Sequence, residues 1–424
     1  MKKNIFTIPI IGILLVIFMS GLTWAGEVDV LIKKLVEKGI LSGQEATQLL
    51  LKTQNEKERE KAVVKEIAKE AAQEETKNSM VEIPKWVEKI SLKGDLRFRY
   101  QNEDKDDDGA PSRDRWRVRA RLGAVVDVTE RWEAGFGLAT GGDDPRSTNE
   151  TLDDTFESPD VRLDYAYLKY SPFKSVVLFG GKFKNPLWKT KDLLWDGDIR
   201  TDGIAAKLNF KTGPAEIFFT PAYFILDEYK ADRDDPYMLA FQGGTKLEFM
   251  DNMYFKVAAT YYYFGAVRGN DFSEHGSGTN SVDSSGNLTQ DYDSIAFDAE
   301  YGINLGGPVP CIALFGQYVS SDADEDETGY LAGLKFGHKK VKKFGQWQVK
   351  YNYRDIERDA WPDFLPDSDF YGGATDAKGN EIELVFGLAK YVTLGVDYYF
   401  NVEPLNDNTD REQDLLQADL VVKW

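Results

Sequence analysis

Arg97 and Arg99, and then Arg117, Arg119 and Arg121, fall at every second position of two neighbouring stretches, R-F-R-Y and R-W-R-V-R-A-R-L-G. A guanidinium stays charged at physiological pH and presents a flat fork of donors, so this spacing suits the holding or passing of anions and not proton transfer. Asp192, Asp196 and Asp198 form a second set, inside a segment unusually rich in apolar residues: Leu187, Trp188, Leu193, Leu194 and Trp195. Such residues are costly in an exposed loop and sensible in one folded inward. Set against the arginines, three carboxylates would create a transverse field across a constriction. The alternative is that the arginines pair with carboxylates of their own wall, Asp95, Glu133 and Asp164, and stiffen it.

Catalytic chemistry finds little support. His275 lies in a Gly- and Ser-rich stretch and His338 at a turn, and neither belongs to a nucleophile or metal pattern. Cys311 is the only cysteine, which excludes an intrachain disulfide and a thiolate metal cluster. Asp104, Asp106, Asp108 and Gly109 open like a calcium loop, but the closing position is Arg115. With Asp322, Asp324 and Asp326 they read as solvated acid that binds divalent ions loosely at most. No enzyme, cofactor or specific metal site is expected.

The elements that carry these residues are strands. From about Val87 the apolar period is two: Ile90, Leu92, Leu96, Phe98 and Tyr100 against Ser91, Lys93, Asp95, Arg97, Arg99 and Gln101. Connections alternate between tight turns such as Thr129-Glu130-Arg131 and long polar loops such as 141–159 and 268–291. The tally is about sixteen strands with short turns at one end and long loops at the other, the signature of an all-β, antiparallel transmembrane barrel. Apolar positions then face lipid and polar ones a lumen, which at this strand number is an aqueous channel. Tyr165, Tyr167, Tyr261, Tyr263, Tyr351, Tyr353, Tyr398 and Phe400 are expected in the aromatic girdles. A net charge of -19 disfavours nucleic acid as a partner.

The ends supply an address. Lys2 and Lys3, the apolar Ile5–Met19 and Thr23-Trp24-Ala25 read as a secretory signal over 1–25. Residues 26–83 read as a short α-helical periplasmic stalk: Gly39 stops a first helix, and Ser42-Gly43-Gln44-Glu45 caps a second, rich in Ala, Glu, Lys and Gln. A self-associating coiled coil and a charged spacer are both open. Residues 84–424 form the barrel. Its last stretch, L-L-Q-A-D-L-V-V-K-W, alternates up to Trp424 and looks like the strand by which outer-membrane barrels are recognised for assembly.

The arginine-rich opening, together with Gly137-Leu138-Ala139-Thr140-Gly141, Gly180-Gly181-Lys182-Phe183-Lys184-Asn185-Pro186 and Trp195-Asp196-Gly197-Asp198, resembles the bacterial putative-porin families over about 86–424. The resemblance implies a passive outer-membrane channel for small hydrophilic solutes, homotrimeric, among lipid and lipopolysaccharide. In general porins the third long loop narrows the pore, which here is 184–201. Arg97, Arg99, Arg117, Arg119, Arg121, Lys182, Asp192, Asp196 and Asp198 are therefore the expected pore-lining set. A second reading keeps the barrel as an anchor and gives the work to the stalk, as a tether to cell wall or a periplasmic partner.

Overall fold

The computed structural model describes residues 25–78, 87–105, 111–230, 234–406 and 411–424. The signal-peptide reading, and Asp106, Asp108 and Gly109 of the acidic loop, lie outside them. The chain divides into two units, Met1–Pro84 and Lys85–Trp424.

In the first unit, helix α1 (Ala25–Glu37) and helix α2 (Gly43–Asn78) follow one another. Gly39 takes a φ of 70°, the left-handed backbone that ends a helix at little cost to glycine. The capping box forms as expected: the Ser42 N–H donates to Glu45 Oε2 at 2.9 Å, and the Glu45 N–H to Ser42 Oγ at 3.3 Å.

The second unit begins with strands β1 (Ile90–Lys105), β2 (Arg113–Asp127) and β3 (Trp132–Thr140), and a two-residue β4 (Glu150–Thr151) that pairs with β2 from within a loop. Then come β5 (Val161–Phe173), β6 (Val176–Lys184), β7 (Arg200–Thr212), β8 (Ala215–Ile225), β9 (Tyr237–Phe249) and β10 (Met253–Gly265). The chain closes with β11 (Ser294–Asn304), β12 (Cys311–Ser321), β13 (Thr328–Gly337), β14 (Trp347–Ile356), β15 (Ala377–Ala389), β16 (Val392–Pro404) and β17 (Gln413–Lys423). Seventeen strands less the short β4 leave a sixteen-stranded barrel, antiparallel throughout, with β1 joined to both β2 and β17. Closure leaves no unpaired edge, which a chain crossing hydrocarbon requires. Beyond Lys423, the Trp424 N–H donates to the Gly94 carbonyl at 3.1 Å and Gly94 returns the bond at 3.3 Å. The indole lies where a Gly94 side chain would stand, so only glycine fits beneath it.

The two faces separate as the alternation demands. Leu92, Leu96, Phe98 and Leu122 are exposed, while Asp95, Arg99, Gln101 and Arg119 on the same strands are buried toward the lumen. Tyr261, Tyr263 and Tyr351 are exposed on the outer face. Tyr165 and Tyr167 correct the girdle assignment: they turn inward, with rings laid over Gly123, Gly137 and Gly135, and Tyr167 Oη donates to Glu133 at 2.8 Å. The register between β3 and β5 shifts at Gly137/Leu138, and the three glycines leave the space that the rings take.

Candidate functional site

The lumen is occupied by two loops, not one. The loop between β6 and β7 folds inward as its apolar content requires, with Leu187, Leu193, Leu194 and Trp195 all buried. Burial of each such side chain is worth about 2 kcal/mol. Polar anchors fix its course: the Trp188 N–H donates to Gln242 Oε1 (2.7 Å) and the Thr190 N–H to Asp298 Oδ1 (2.8 Å), both on the barrel wall.

The second loop, 357–376 between β14 and β15, packs against the first. Trp361 is fully buried, edge-on to Trp195 and Tyr262, and its Nε1–H donates to the Leu194 carbonyl at 2.7 Å. The Asp196 N–H donates to the Leu365 carbonyl (2.7 Å), and the Ser368 N–H to Asp196 Oδ2 (2.9 Å). The sequence reading named only 184–201 as folded inward. The sign it missed is the one used for its partner: Trp361, Phe364, Leu365 and Phe370 stand among the Gly and Asp residues.

The arginine ladder forms on β1 and β2, with Arg97 opposite Arg119, Arg99 opposite Arg117 and Asp95 opposite Arg121. Asp198 reaches it, 3.1 Å from Arg121 Nη1 and 3.9 Å from Arg119 Nη1, and also accepts the Thr148 hydroxyl at 2.7 Å. Burial pushes the Asp198 carboxyl up, but the charges of Arg119, Arg121 and Arg97 outweigh it and hold the group at about 2. The wall also contributes. Asp95 pairs with Arg119 (2.9 Å) and Arg121 (2.8 Å), and Asp419 of β17 takes Arg99 in a two-pronged contact at 2.6 and 2.8 Å. Asp164 goes instead to Arg200, and Glu133 to Lys169. Arg97 meets Asn149, with Asp419 3.5 Å away. Among the described residues Arg117 bonds only to neutral oxygens, at Gln101 (3.3 Å), Ser147 (3.5 Å) and Asn149 (3.3 Å).

Two expected residues pair outside the ladder. Asp192 belongs to a separate acidic group, pairing with Lys191 and Arg354, each at 3.0 Å. Arg354 is fully buried and also holds Asp367 (3.2 Å) and Glu381, while Lys191 bridges Glu381 (2.8 Å) and Glu383. Lys182 is not brought to the ladder at all, because it pairs with Asp202 across the β6–β7 ladder at 2.7 Å. Asp192, Asp367 and Glu381 lie close enough together to hold a cation. The Arg354 guanidinium donates to all three and takes that place itself.

Asp196 differs from its neighbours. Burial, and then the charge of Asp198, push its carboxyl up to about 7, against the N–H groups of Asp198 and Ser368 that favour the charged form. Beside the apolar packing of the two loops there remains a polar cleft of about 200 Å³, lined by Arg97, Arg99 and Arg119 and by Asp192, Asp369, Glu383 and Asp397, with Asp369 3.3 Å from Arg99 Nη1.

A closed antiparallel barrel with an apolar outer face, a charged lumen and infolded loops is the architecture of a porin in an outer membrane. The chain belongs to the putative porin family, whose model matches residues 56–112, 107–298 and 279–424. Among solved structures it is similar to OprB of Pseudomonas putida, at 11% identity and a TM-score of 0.53, covering 81% of this chain and 96% of that one. It also aligns with a triple mutant of Rhodopseudomonas blastica porin, at 11% identity and a TM-score of 0.44, over 79% of this chain and all of that one. No curated protein matches the chain in sequence.

Proposed function

We propose that this porin passes small hydrophilic solutes by diffusion through a lumen narrowed jointly by the loops 184–201 and 357–376, with the arginines of β1 and β2 forming one wall of the narrow part. The observation that carries the reading is the polar cleft between the ladder and the acidic group, left open where the two loops pack. A rigid plug with no route past it would be expected to close this gap with apolar side chains, as it does on the opposite wall around Trp195 and Trp361. Residues 1–25 are the signal, 26–83 a periplasmic stalk that helps three copies associate, and 84–424 the channel. Trp424 serves recognition of the last strand during assembly.

The test is single-channel recording of the purified protein in a planar bilayer, with R117Q/R119Q in parallel. A steady open pore whose conductance and reversal potential change in the variant supports both channel and constriction. A folded barrel that never conducts would refute the channel and favour the tether.

A further inference from the structure

We infer that the solutes this channel favours are small oxyanions, carboxylates and inorganic phosphate, drawn past the constriction by lysines 184, 207 and 256. The inference rests on the diffusion reading above and adds the charge of the solute. Three observations carry it.

First, the acidic side of the cleft is largely neutralised from within. The four carboxylates of Asp192, Asp367, Glu381 and Glu383 share three cations, Lys191, Lys350 and Arg354. Asp196 and Asp397 have no cation within salt-bridge distance among the described residues, and the Asp196 carboxylate is tied to backbone N–H groups.

Second, the basic side continues beyond the ladder in lysines that form no salt bridge among the described residues. Lys184, at the end of β6, stands opposite Arg200 of β7 in the strand register; the repulsion of Arg200, Arg121 and Lys423 reaches it, as that of Lys184 reaches Lys207 on β7. Lys207 shares the inward face of β7 with buried Ala205, while Ile204, the residue before Ala205 in the pleat, is exposed outward. Lys256 follows on β10, where the carboxylates of Glu216 and Glu300 act on it ahead of the like charges of Lys246 and Lys207. Among the described residues none of the three has a carboxylate at salt-bridge distance.

Third, the Lys256 ammonium is held in the lumen and not in the wall. It lies 4.2 Å above the Trp188 ring of the infolded loop and 5.0 Å above that of Phe218. The aromatic face steadies the cation while leaving its charge unspent. Cations without a salt-bridge partner in a confined lumen repel one another, and passing anions relieve that repulsion. The series leads from Arg117, which among the described residues has only neutral partners, past the ladder to Lys184, Lys207 and Lys256.

The experiment is reversal potential under a potassium chloride gradient, for the full-length protein and for K184Q/K207Q/K256Q, with the single variant K256Q as a second readout. Wild type should favour chloride over potassium by about threefold, and the triple variant should lose most of that preference while still conducting. Millimolar inorganic phosphate should reduce the chloride current of wild type and leave that of the triple variant little changed. A wild-type pore that is neutral or cation-preferring overturns the inference and leaves the channel standing, as does an unchanged preference in both variants. A folded wild-type barrel without conductance overturns the diffusion reading and this inference with it.

Discussion

Arg121 Nη1 and Asp198 Oδ1 lie 3.1 Å apart, fastening the end of the infolded loop to the second strand of the barrel. Asp198 also accepts the Thr148 hydroxyl and N–H, so a single carboxylate ties together β2, the loop before β5 and the loop before β7. Replacing it by Asn keeps the shape and removes the charge, at a cost of about 2 kcal/mol for a charge-assisted bond of this kind. D198N is expected to show faster tryptic cleavage after Lys189 or Lys191 and noisier open-channel current. Cleavage and noise equal to wild type would mean that apolar packing alone holds the loop.

Packing is tested at Trp361. The indole touches Trp195, Tyr262 and Phe264 at ring-centroid distances of 6.1, 4.7 and 5.4 Å, and its N–H caps the Leu194 carbonyl. W361A leaves a cavity between the two loops and an unsatisfied buried carbonyl, together worth about 3–5 kcal/mol. The barrel hydrogen bonds are untouched, so its heat resistance on a gel should persist while single-channel conductance rises. Unchanged conductance would place the second loop outside the solute path.

Loop docking should also depend on pH, with a sign set by Asp196. Free in solvent its carboxyl titrates near 4, whereas in the docked loops burial and Asp198 push it up to about 7. Docked loops therefore hold a proton that undocked loops have released between those values. This contribution is complete below about pH 4 and is lost as pH rises through about 7. Asp192 and Asp198 act in the opposite sense: their carboxyls, held at about 2 against the pull of burial by Lys191 and Arg354 and by Arg119 and Arg121, favour docking until pH falls below about 4. Asp367, buried beside Asp192, is raised and reinforces Asp196. Between pH 5 and 8 the loops should loosen as pH rises, measured as accelerating tryptic cleavage of 184–201 relative to an unfolded control peptide. D196N should flatten that dependence, and an equal slope in wild type and D196N would assign it to other groups.

The barrel was legible because lipid imposes one rule on every strand: alternate side chains must be apolar, and each connection must lie at one end or the other. The inward turn of Tyr165 and Tyr167 was not, since it depends on Gly123, Gly135 and Gly137 sitting beneath the rings, on strands whose register a sequence does not give. At the site, the ladder and the infolding of 184–201 followed from arginine spacing and from apolar residues in a loop. Partners across the barrel did not: Asp419 lies 320 positions from Arg99, and ring closure alone puts them side by side. Arg354, Lys191 and Asp369 were missed because each lies in or beside a loop whose course is set by packing. The partners of Asp192 were hidden for the same reason: four positions before Asp196, it is held by Lys191 and Arg354 and not by the ladder.

Barrel closure offers a last test at Gly94. Its outward face is covered by the Trp424 ring, and a side-chain carbon there would meet both that ring and the Arg121 carbonyl. G94A should therefore strain the seam between β1 and β17, at a cost of about 1–3 kcal/mol for overpacking. W424A removes only the ring. If the ring is half of the obstacle, the double variant G94A/W424A should cost less than the sum of the singles by about 1 kcal/mol, the coupling expected of groups in contact. The readout is the folded fraction after refolding into lipid vesicles across a urea series. Strict additivity would place the whole penalty at the Arg121 carbonyl and leave the Trp424 ring without a part in it.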